Sequence, residues 1–310
     1  MQRAARGALR AAAWAPPARL LHAASPVLAA DRAALLALRR STGLPFLQCR
    51  EALERCGGDL PQAEAWLQEE AQRRGWIRAT ELQSRRAPQG LVGLVRQGPL
   101  AAMVEVNCET DFVARNGEFQ QVVEQAVLST VALCRTAPPG AGNKHLLAVE
   151  ELAQLRTEPG GALLSDRIAV ATGKLGEKVA LRRAAWLRVP EPGGHIAAYA
   201  HGWLPASGPL AMGTYGALVA CQVPEPWVGV GTVEEVGRKV AQHVVGMAPS
   251  TLGTPQDEPQ GEGETRLLAQ SFLLEPGVTV GQFLGEGGGL VVTDFLRFHC
   301  GEEETPAPPA

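Results

Sequence analysis

At 310 residues, 45% hydrophobic and 20% charged, the chain is long enough for two or three domains with real cores, and its balance is that of an ordinary globular protein. Its 29 basic against 32 acidic residues give a formal net charge of −3, which makes a poor general binder of phosphate backbones. Six cysteines, at 49, 56, 108, 134, 221 and 300, show no Cys-x-x-Cys spacing, and no histidine pair stands at metal-ligand intervals, so no structural zinc is expected.

The first thirty residues carry Arg3, Arg6, Arg10 and Arg19, many alanines and no acidic residue before Asp31. That is the composition of a mitochondrial transit peptide, and Pro16, Pro17 and Arg19 break what would be the apolar core of a secretory signal. Import into the matrix is expected, with removal near residues 25 to 40. Without those four arginines the remainder has 25 basic against 32 acidic residues, more acidic still. No apolar run approaches the roughly 20 residues of a membrane span, so neither a membrane nor a nucleic acid is an expected partner.

Residues 31–76 read as three short helices. Leu35, Leu36 and Leu38 open the first, ended by Thr42-Gly43; Phe46, Leu47, Cys49, Ala52, Leu53 and Cys56 stripe the second, stopped by Gly57-Gly58. Asp59 is placed to cap a third that carries Ala63, Trp66, Leu67 and Ala71. A unit this small lies near the limit of independent stability and reads as a docking module tethered to something larger. A charged connector is assigned to residues 77–89. The arginines in and beside it (73, 74, 78, 85 and 86) read as a solvated connector or a local contact for an acidic partner.

A pattern then occurs twice. Gly90 to Val95 is a strand, Gln97-Gly98-Pro99 a turn, Ala101 to Asn107 a second strand with period 2, and Phe119 to Leu133 a helix whose face carries Phe119, Val122, Val123, Ala126, Val127, Thr130 and Cys134. About a hundred residues later, His195 to Ala200, Tyr215 to Val223 and Val233 to Met247 repeat strand, strand, helix. The fold class expected is α+β: the three-helix module, then two related hairpin-plus-helix subdomains, residues 90–190 and 191–300, packed as one core. Pro249 to Glu264 reads as an exposed loop, and residues 301–310 as an acidic, proline-rich, disordered tail.

Between the first strand pair and its helix stands Asn107-Cys108-Glu109-Thr110-Asp111-Phe112-Val113-Ala114-Arg115-Asn116. Thr110 and Asp111 fall where a strand hands over to a helix, and either can cap the orphan N–H groups there. Phe112 is a large aromatic at a turn in a chain with only 5% aromatic residues. Physics alone slightly favours a ring tucked under the turn as local core; the sharper reading is a projecting anchor for a partner's pocket.

Catalytic apparatus is not found. Thr172-Gly173-Lys174 lacks the upstream glycine loop of a phosphate-binding motif, and Gly229-Val230-Gly231 lacks the third glycine of a dinucleotide fingerprint. His243, beside Val244 and Val245, reads as a satisfied, partly buried side chain. Cys108 has no identifiable base. These absences favour a protein that works by contact, without a cofactor.

The Leu38-Arg39…Thr42-Gly43…Cys49…Ala52-Leu53…Gly58-Asp59 series and the Glu105 to Asn116 run together resemble the two signatures of the translation elongation factor Ts family. Gly173 to Glu177 with Arg182-Arg183, His243-Val244, and Glu275-Pro276…Phe295-Leu296-Arg297-Phe298 extend the likeness to about residues 33–303. Its Thr-Asp-Phe-Val run is highly specific, whereas ubiquitin-associated-like three-helix modules are common. The resemblance implies a non-enzymatic exchange factor that binds elongation factor Tu, here the mitochondrial one, in its GDP-bound and nucleotide-free forms, and drives release of GDP. It implies partner contacts from Arg39, Phe46 and Leu47 of the module, from Thr110, Asp111, Phe112 and Val113 near the partner's magnesium, and from His243. The segment after Met247 is too short and too rich in proline and glycine for the protruding coiled coil of bacterial members, and residues 203–214 form an enlarged hairpin loop. The competing reading is a protein-binding scaffold that acts through the helical module without exchange activity; a cysteine enzyme using Cys108 ranks last.

Overall fold

The structure is a computed structural model that describes residues 26–138, 143–202, 210–229, 231–254, 256–286 and 288–302, without the side chains of residues 26–31 and 262. The transit-peptide assignment, apart from residues 26–30, and positions 303–310 of the tail lie outside the described residues.

Helices α1 (Pro26–Thr42), α2 (Phe46–Arg55) and α3 (Leu60–Leu82) come first. Gly43, with φ +67°, closes α1 by donating its N–H to the Arg39 carbonyl at 2.9 Å, the left-handed geometry that a glycine accepts without strain. Gly57 and Gly58, with φ +61° and +87°, take the same left-handed geometry after α2, where Gly58 donates its N–H to the Leu53 carbonyl at 2.8 Å, and Asp59 Oδ1 accepts the Gln62 N–H at 2.9 Å to cap α3. Leu38, Cys49, Ala52, Ala63 and Leu67 are buried together as one apolar stripe per helix requires.

The chain divides into two compact units, one up to Gln68 and one from Glu69, so α3 contributes to both. The helix runs unbroken through positions 76 and 77, where the sequence reading ends the module and begins the connector. Its second half is retained by packing within the larger unit. Trp76 Nε1 donates to Asp166 Oδ1 at 3.1 Å, Leu82 is buried, and at Gly75 a side-chain carbon would sit 2.3 Å from the Ala169 carbonyl oxygen.

The larger unit is layered helix, sheet, sheet, helix. A first sheet has the order β3-β4-β2-β1-β6, from β1 (Gln89–Gln97), β2 (Leu100–Cys108), β3 (Lys144–Leu147), β4 (Val179–Arg188) and β6 (Leu210–Gly213). A second has the order β5-β7-β8, from β5 (Gly194–His201), β7 (Tyr215–Gln222) and β8 (Val291–His299); every pairing is antiparallel. One turn, α4 (Asp111–Ala114), follows β2. Helices α5 (Gly117–Thr136), α6 (Val149–Gln154) and α7 (Leu164–Leu175) belong with the first sheet, and α8 (Val233–Met247) and α9 (Val280–Glu286) with the second.

Alternation explains the layers. In β2 the even positions Ala102, Val104 and Val106 meet Phe119, Val123 and Val127 of α5, while the odd positions Ala101 and Met103 turn toward Ile196, Leu218 and Leu296 of the second sheet. The sheets approach closely at Gly216, where a side-chain carbon would lie 2.7 Å from Val92 Cγ1. Farther along the same face, the fully buried Glu105 carboxylate accepts from Arg183 Nε (2.7 Å), Asn107 Nδ2 (3.2 Å) and the Gly301 N–H (2.8 Å). A charge out of water requires such a full set of donors, and this one fastens the end of β8 to β2.

The two hairpin-plus-helix segments therefore stand where the periodicity places them, as β1-β2-α5 and β5-β7-α8. The 203–214 loop holds a strand: β6 leaves the second segment and pairs with β1 at the edge of the first sheet.

Candidate functional site

The turn after β2 is built from the backbone outward. Cys108 ends the strand paired with Gln89, and its Sγ donates to the Thr110 carbonyl at 3.1 Å. Thr110 is extended (φ −126°, ψ 155°), and its Oγ1 accepts the Val113 N–H at 3.3 Å, which makes it the N-cap of α4. Asn116 caps α5 in turn by accepting from the Glu118 N–H at 2.9 Å.

Two carboxylates clamp the turn, Glu177 reaching in from the α7–β4 turn and Glu109 reaching out from the hairpin end. Glu177 accepts from the Thr110 N–H at 3.1 Å and from Thr110 Oγ1 at 2.9 Å. Glu109 accepts the Lys178 N–H at 2.7 Å and pairs with Arg85 at 3.2 Å. The Lys178 amide, and after it Arg85, hold the Glu109 carboxyl below the usual carboxylate range. The hairpin end and the α7–β4 turn, 67 to 69 positions apart, are thus joined by charge-assisted hydrogen bonds.

On this frame Val113 and Ala114 face inward and are buried in the α5 core. Asp111 and Phe112 face outward. Asp111 pairs with Arg115 one turn on, at 3.2 Å. Phe112 is 80% exposed, so its ring is no part of the local core that its position alone slightly favoured; the Val113 and Ala114 side chains fill the space beneath the turn. An exposed phenyl ring on a braced turn forgoes the gain from leaving water in the free protein and recovers it only in another molecule's pocket.

In the module, Arg39 lies over the Phe46 ring at 4.4 Å and donates from Nη1 to the Leu44 carbonyl at 3.3 Å. Phe46 and Leu47 are both exposed, Leu47 at 77%. Pro45 precedes them and starts α2, so the start of the helix presents two apolar side chains beside a guanidinium, the composition of an interface anchor.

His243 behaves differently from Phe112. It is fully buried on α8; its Nε2 is 3.0 Å from Gln270 Oε1, and its Nδ1 accepts the Leu273 N–H at 3.1 Å. A backbone donor at Nδ1 places the proton on Nε2 in a neutral ring, and burial pushes the imidazole pKa below its ordinary 6.5. The direct contact expected from this histidine has no surface to work through. The ring instead fixes the segment that exposes Leu273 and Leu274, with Met247 nearby on α8 also exposed.

The sequence reading names Glu109 and Glu177 only as members of motif runs and assigns no contact to either or to Lys178. Nothing in the spacing of the Gly176-Glu177-Lys178 turn points to a hairpin almost seventy residues earlier. Desolvation, and next the Glu177 charge, push the Cys108 thiol up to about 12, away from the lowered range of an activated thiolate. Among the described residues no three His, Cys, Asp or Glu side chains gather as a metal site, and no helix is long and apolar enough to cross a membrane.

Exposed apolar side chains on the braced turn and at the start of α2 have the composition of a surface that meets another macromolecule. Residues 18–77 match the family model for the N-terminal part of elongation factor Ts, mitochondrial, and residues 109–258 match that for elongation factor TS. The chain is 48% identical over 284 residues to rat mitochondrial elongation factor Ts, covering 90% of this chain and 86% of that one, and 47% identical to the human protein over the same shares. To the Xenopus laevis protein it is 46% identical over 293 residues, 93% of this chain and 92% of that one. The chain belongs to the elongation factor Ts family, in its mitochondrial group.

Proposed function

We propose that this chain is the guanine-nucleotide exchange factor for elongation factor Tu of the mitochondrial matrix, binding its GDP-bound and nucleotide-free forms during translation elongation. The observation that carries the reading is Phe112, 80% exposed on a turn that Glu177 and Glu109 hold from behind. Family membership supplies the partner, and the arginine-rich, acid-free first thirty residues supply the address.

In this reading the ring acts as a wedge. Magnesium holds GDP in a G domain by bridging phosphate oxygens to protein oxygens and ordered water. Phe112, entering an apolar pocket beside that region, gains about 1.5–3 kcal/mol if fully buried. That energy moves the elements around the ion without competing for the nucleotide pocket. Asp111, beside it and paired with Arg115, either holds the loop or meets the partner. Linkage fixes the scale: the factor loosens GDP only as far as GDP loosens the factor. Arg39, Phe46 and Leu47 add a second contact that tethers, and His243 contributes by holding the exposed Leu273 in place.

The test is release of a fluorescent GDP analogue from mitochondrial elongation factor Tu. The chain accelerates it, and Phe112→Ala removes most of the acceleration while the protein stays folded; an unchanged rate with this variant overturns the wedge. The double variant Phe46→Ala, Leu47→Ala raises the dissociation constant about tenfold or more, yet leaves the release rate at saturation nearly as it was. A lowered saturating rate with an unchanged dissociation constant would reverse the roles of the two regions.

A further inference from the structure

The turn that joins α7 to β4 holds more than the hairpin end. Helix α7 closes at Gly176, whose N–H donates to the Thr172 carbonyl at 2.9 Å, and Glu177 and Lys178 follow. Glu177 holds Thr110, and the Lys178 N–H holds Glu109, so both serve the Phe112 turn. The Lys178 side chain has a different target. Its ammonium donates to the Gln83 carbonyl at 2.7 Å and to the Arg85 carbonyl at 2.8 Å. Those carbonyls belong to the turn that ends α3, where the Gln83 N–H donates to the Thr80 carbonyl and the Arg85 N–H to the Leu82 carbonyl.

The last carbonyls of a helix lack partners within it and carry the negative end of its dipole. A basic residue in the last turn commonly meets them, but α3 has none there. Lys178 supplies that charge from 93 and 95 positions away. Arg85 closes a ring of contacts: its guanidinium pairs with Glu109 Oε2 while the Lys178 N–H donates to Glu109 Oε1. Helix end, turn and hairpin are thus tied three ways by charge-assisted bonds.

The consequence lies in what α3 carries. Its first part belongs to the module with Phe46 and Leu47, and its second part to the larger unit. There it packs on α7 at two glycines, where a side-chain carbon on Gly173 would stand 3.1 Å from the Gly75 Cα, and Trp76 bonds Asp166. Lys178 fastens the stretch beyond those contacts, the end from which a helix frays.

We propose that the Lys178 side chain is a positioning residue for the module: by fastening the end of α3 it fixes the stem that carries Phe46 and Leu47, and so sets how much their contact adds to partner binding. This rests on the exchange-factor reading above. A second contact on a fixed stem acts at a high effective concentration, and one on a frayed stem at a lower one. One residue divides the two roles by atom, the main-chain N–H for the Phe112 turn and the ammonium for the stem. Lys178→Met therefore separates them, because it removes the ammonium and leaves the N–H on Glu109.

Two measurements on the full chain test this. In the free protein, hydrogen exchange followed by mass spectrometry quickens several-fold across residues 77–85 of Lys178→Met, while the amides of α5 and of Val113 to Arg115 exchange as in the parent. With mitochondrial elongation factor Tu and a fluorescent GDP analogue, the variant raises the dissociation constant about three- to tenfold, and the release rate at saturation falls less than about twofold. In the Phe46→Ala, Leu47→Ala background the same substitution adds less than about twofold, because the contact it positions is already gone. Unchanged exchange at the end of α3 overturns the proposal, as does a full effect on the dissociation constant in that background. A saturating rate that falls as far as the dissociation constant rises overturns it too, and assigns the ammonium to the Phe112 turn. The hydrogen-exchange arm uses no partner: a parent chain that leaves GDP release unaltered removes the exchange-factor reading, and the α3 amides still decide whether Lys178 fastens the stem.

Discussion

The Phe112 turn and the His243 corner carry two side chains that family resemblance assigns to one job, and the fold treats them oppositely. Phe112 stands on a capped turn with its ring in water while the residues beside it, Val113 and Ala114, fill the core. His243 has no exposed surface, and both of its nitrogens are occupied within the chain. One ring stands open to solvent; the other is wholly taken up by contacts within its own chain. A residue's place in a family motif therefore does not reveal whether it touches or positions.

That contrast can be broken by measurement, starting with the largest expected effect. His243→Ala leaves a cavity, a Gln270 carbonyl without its donor and a Leu273 N–H without its acceptor, and should cost about 2–4 kcal/mol in urea unfolding. A loss below about half a kcal/mol would mean the corner is not organised by the imidazole. Glu177→Ala removes the acceptor of two Thr110 donors and should cost about 1–2 kcal/mol. It should also slow GDP release, because the Phe112 turn loses its brace; a normal rate would show the turn is held without Glu177.

A third effect is smaller and depends on pH. Burial lowers the His243 pKa, so the unfolded chain takes up the proton first as pH falls. The stability this ring contributes is full above its ordinary 6.5 and is lost as pH drops below that toward the folded pKa. His195, also lowered mainly by burial, adds with the same sign. Stability should therefore fall with pH below about 6.5, and His243→Gln should flatten part of that slope, seen by thermal unfolding at about pH 5 and 7. A slope as steep as in the parent chain would exclude the imidazole as its source. The smallest effect completes the contrast: Phe112→Ala should leave the urea unfolding free energy within about 0.5 kcal/mol of the parent. A larger loss would make the ring structural.

The sequence was most legible where one element sees one environment. Period 2 across Ala101 to Asn107 and period 3.6 across Phe119 to Cys134 each reflect a single buried face, and both elements stand within a few residues of their expected bounds. Strand β8 was hidden because its register shifts opposite Ala220 and Cys221, which sends Val292 to the outer helices but Leu296, at the same parity, to the inter-sheet core. Helix α7 buries mostly small residues, Ala169, Ala171 and Thr172, too weak an apolar stripe to stand out. The four residues of β6 lie in a Gly/Pro-rich stretch, and only their partner β1 makes them a strand. At the candidate site, the cap at Thr110 was readable from local spacing, whereas Glu177 and Gln270 act across 67 and 27 positions and leave no local mark. For His243 the reading from its apolar neighbours, a satisfied side chain, described the geometry better than resemblance did.

The pairing of Val92 to Val95 with Leu210 to Gly213 joins segments over a hundred residues apart, and the Glu105 carboxylate waits for an amide at position 301. A chain threaded into an organelle amino end first would therefore carry an open sheet edge until residue 213 has emerged, and an acid without its last donor until residue 301 has. Non-local topology of this kind folds slowly and exposes sticky intermediates. Newly imported molecules should thus depend on chaperone protection for longer than their size alone suggests, and a stalled or shortened version should be cleared rather than accumulate as a half-working fragment.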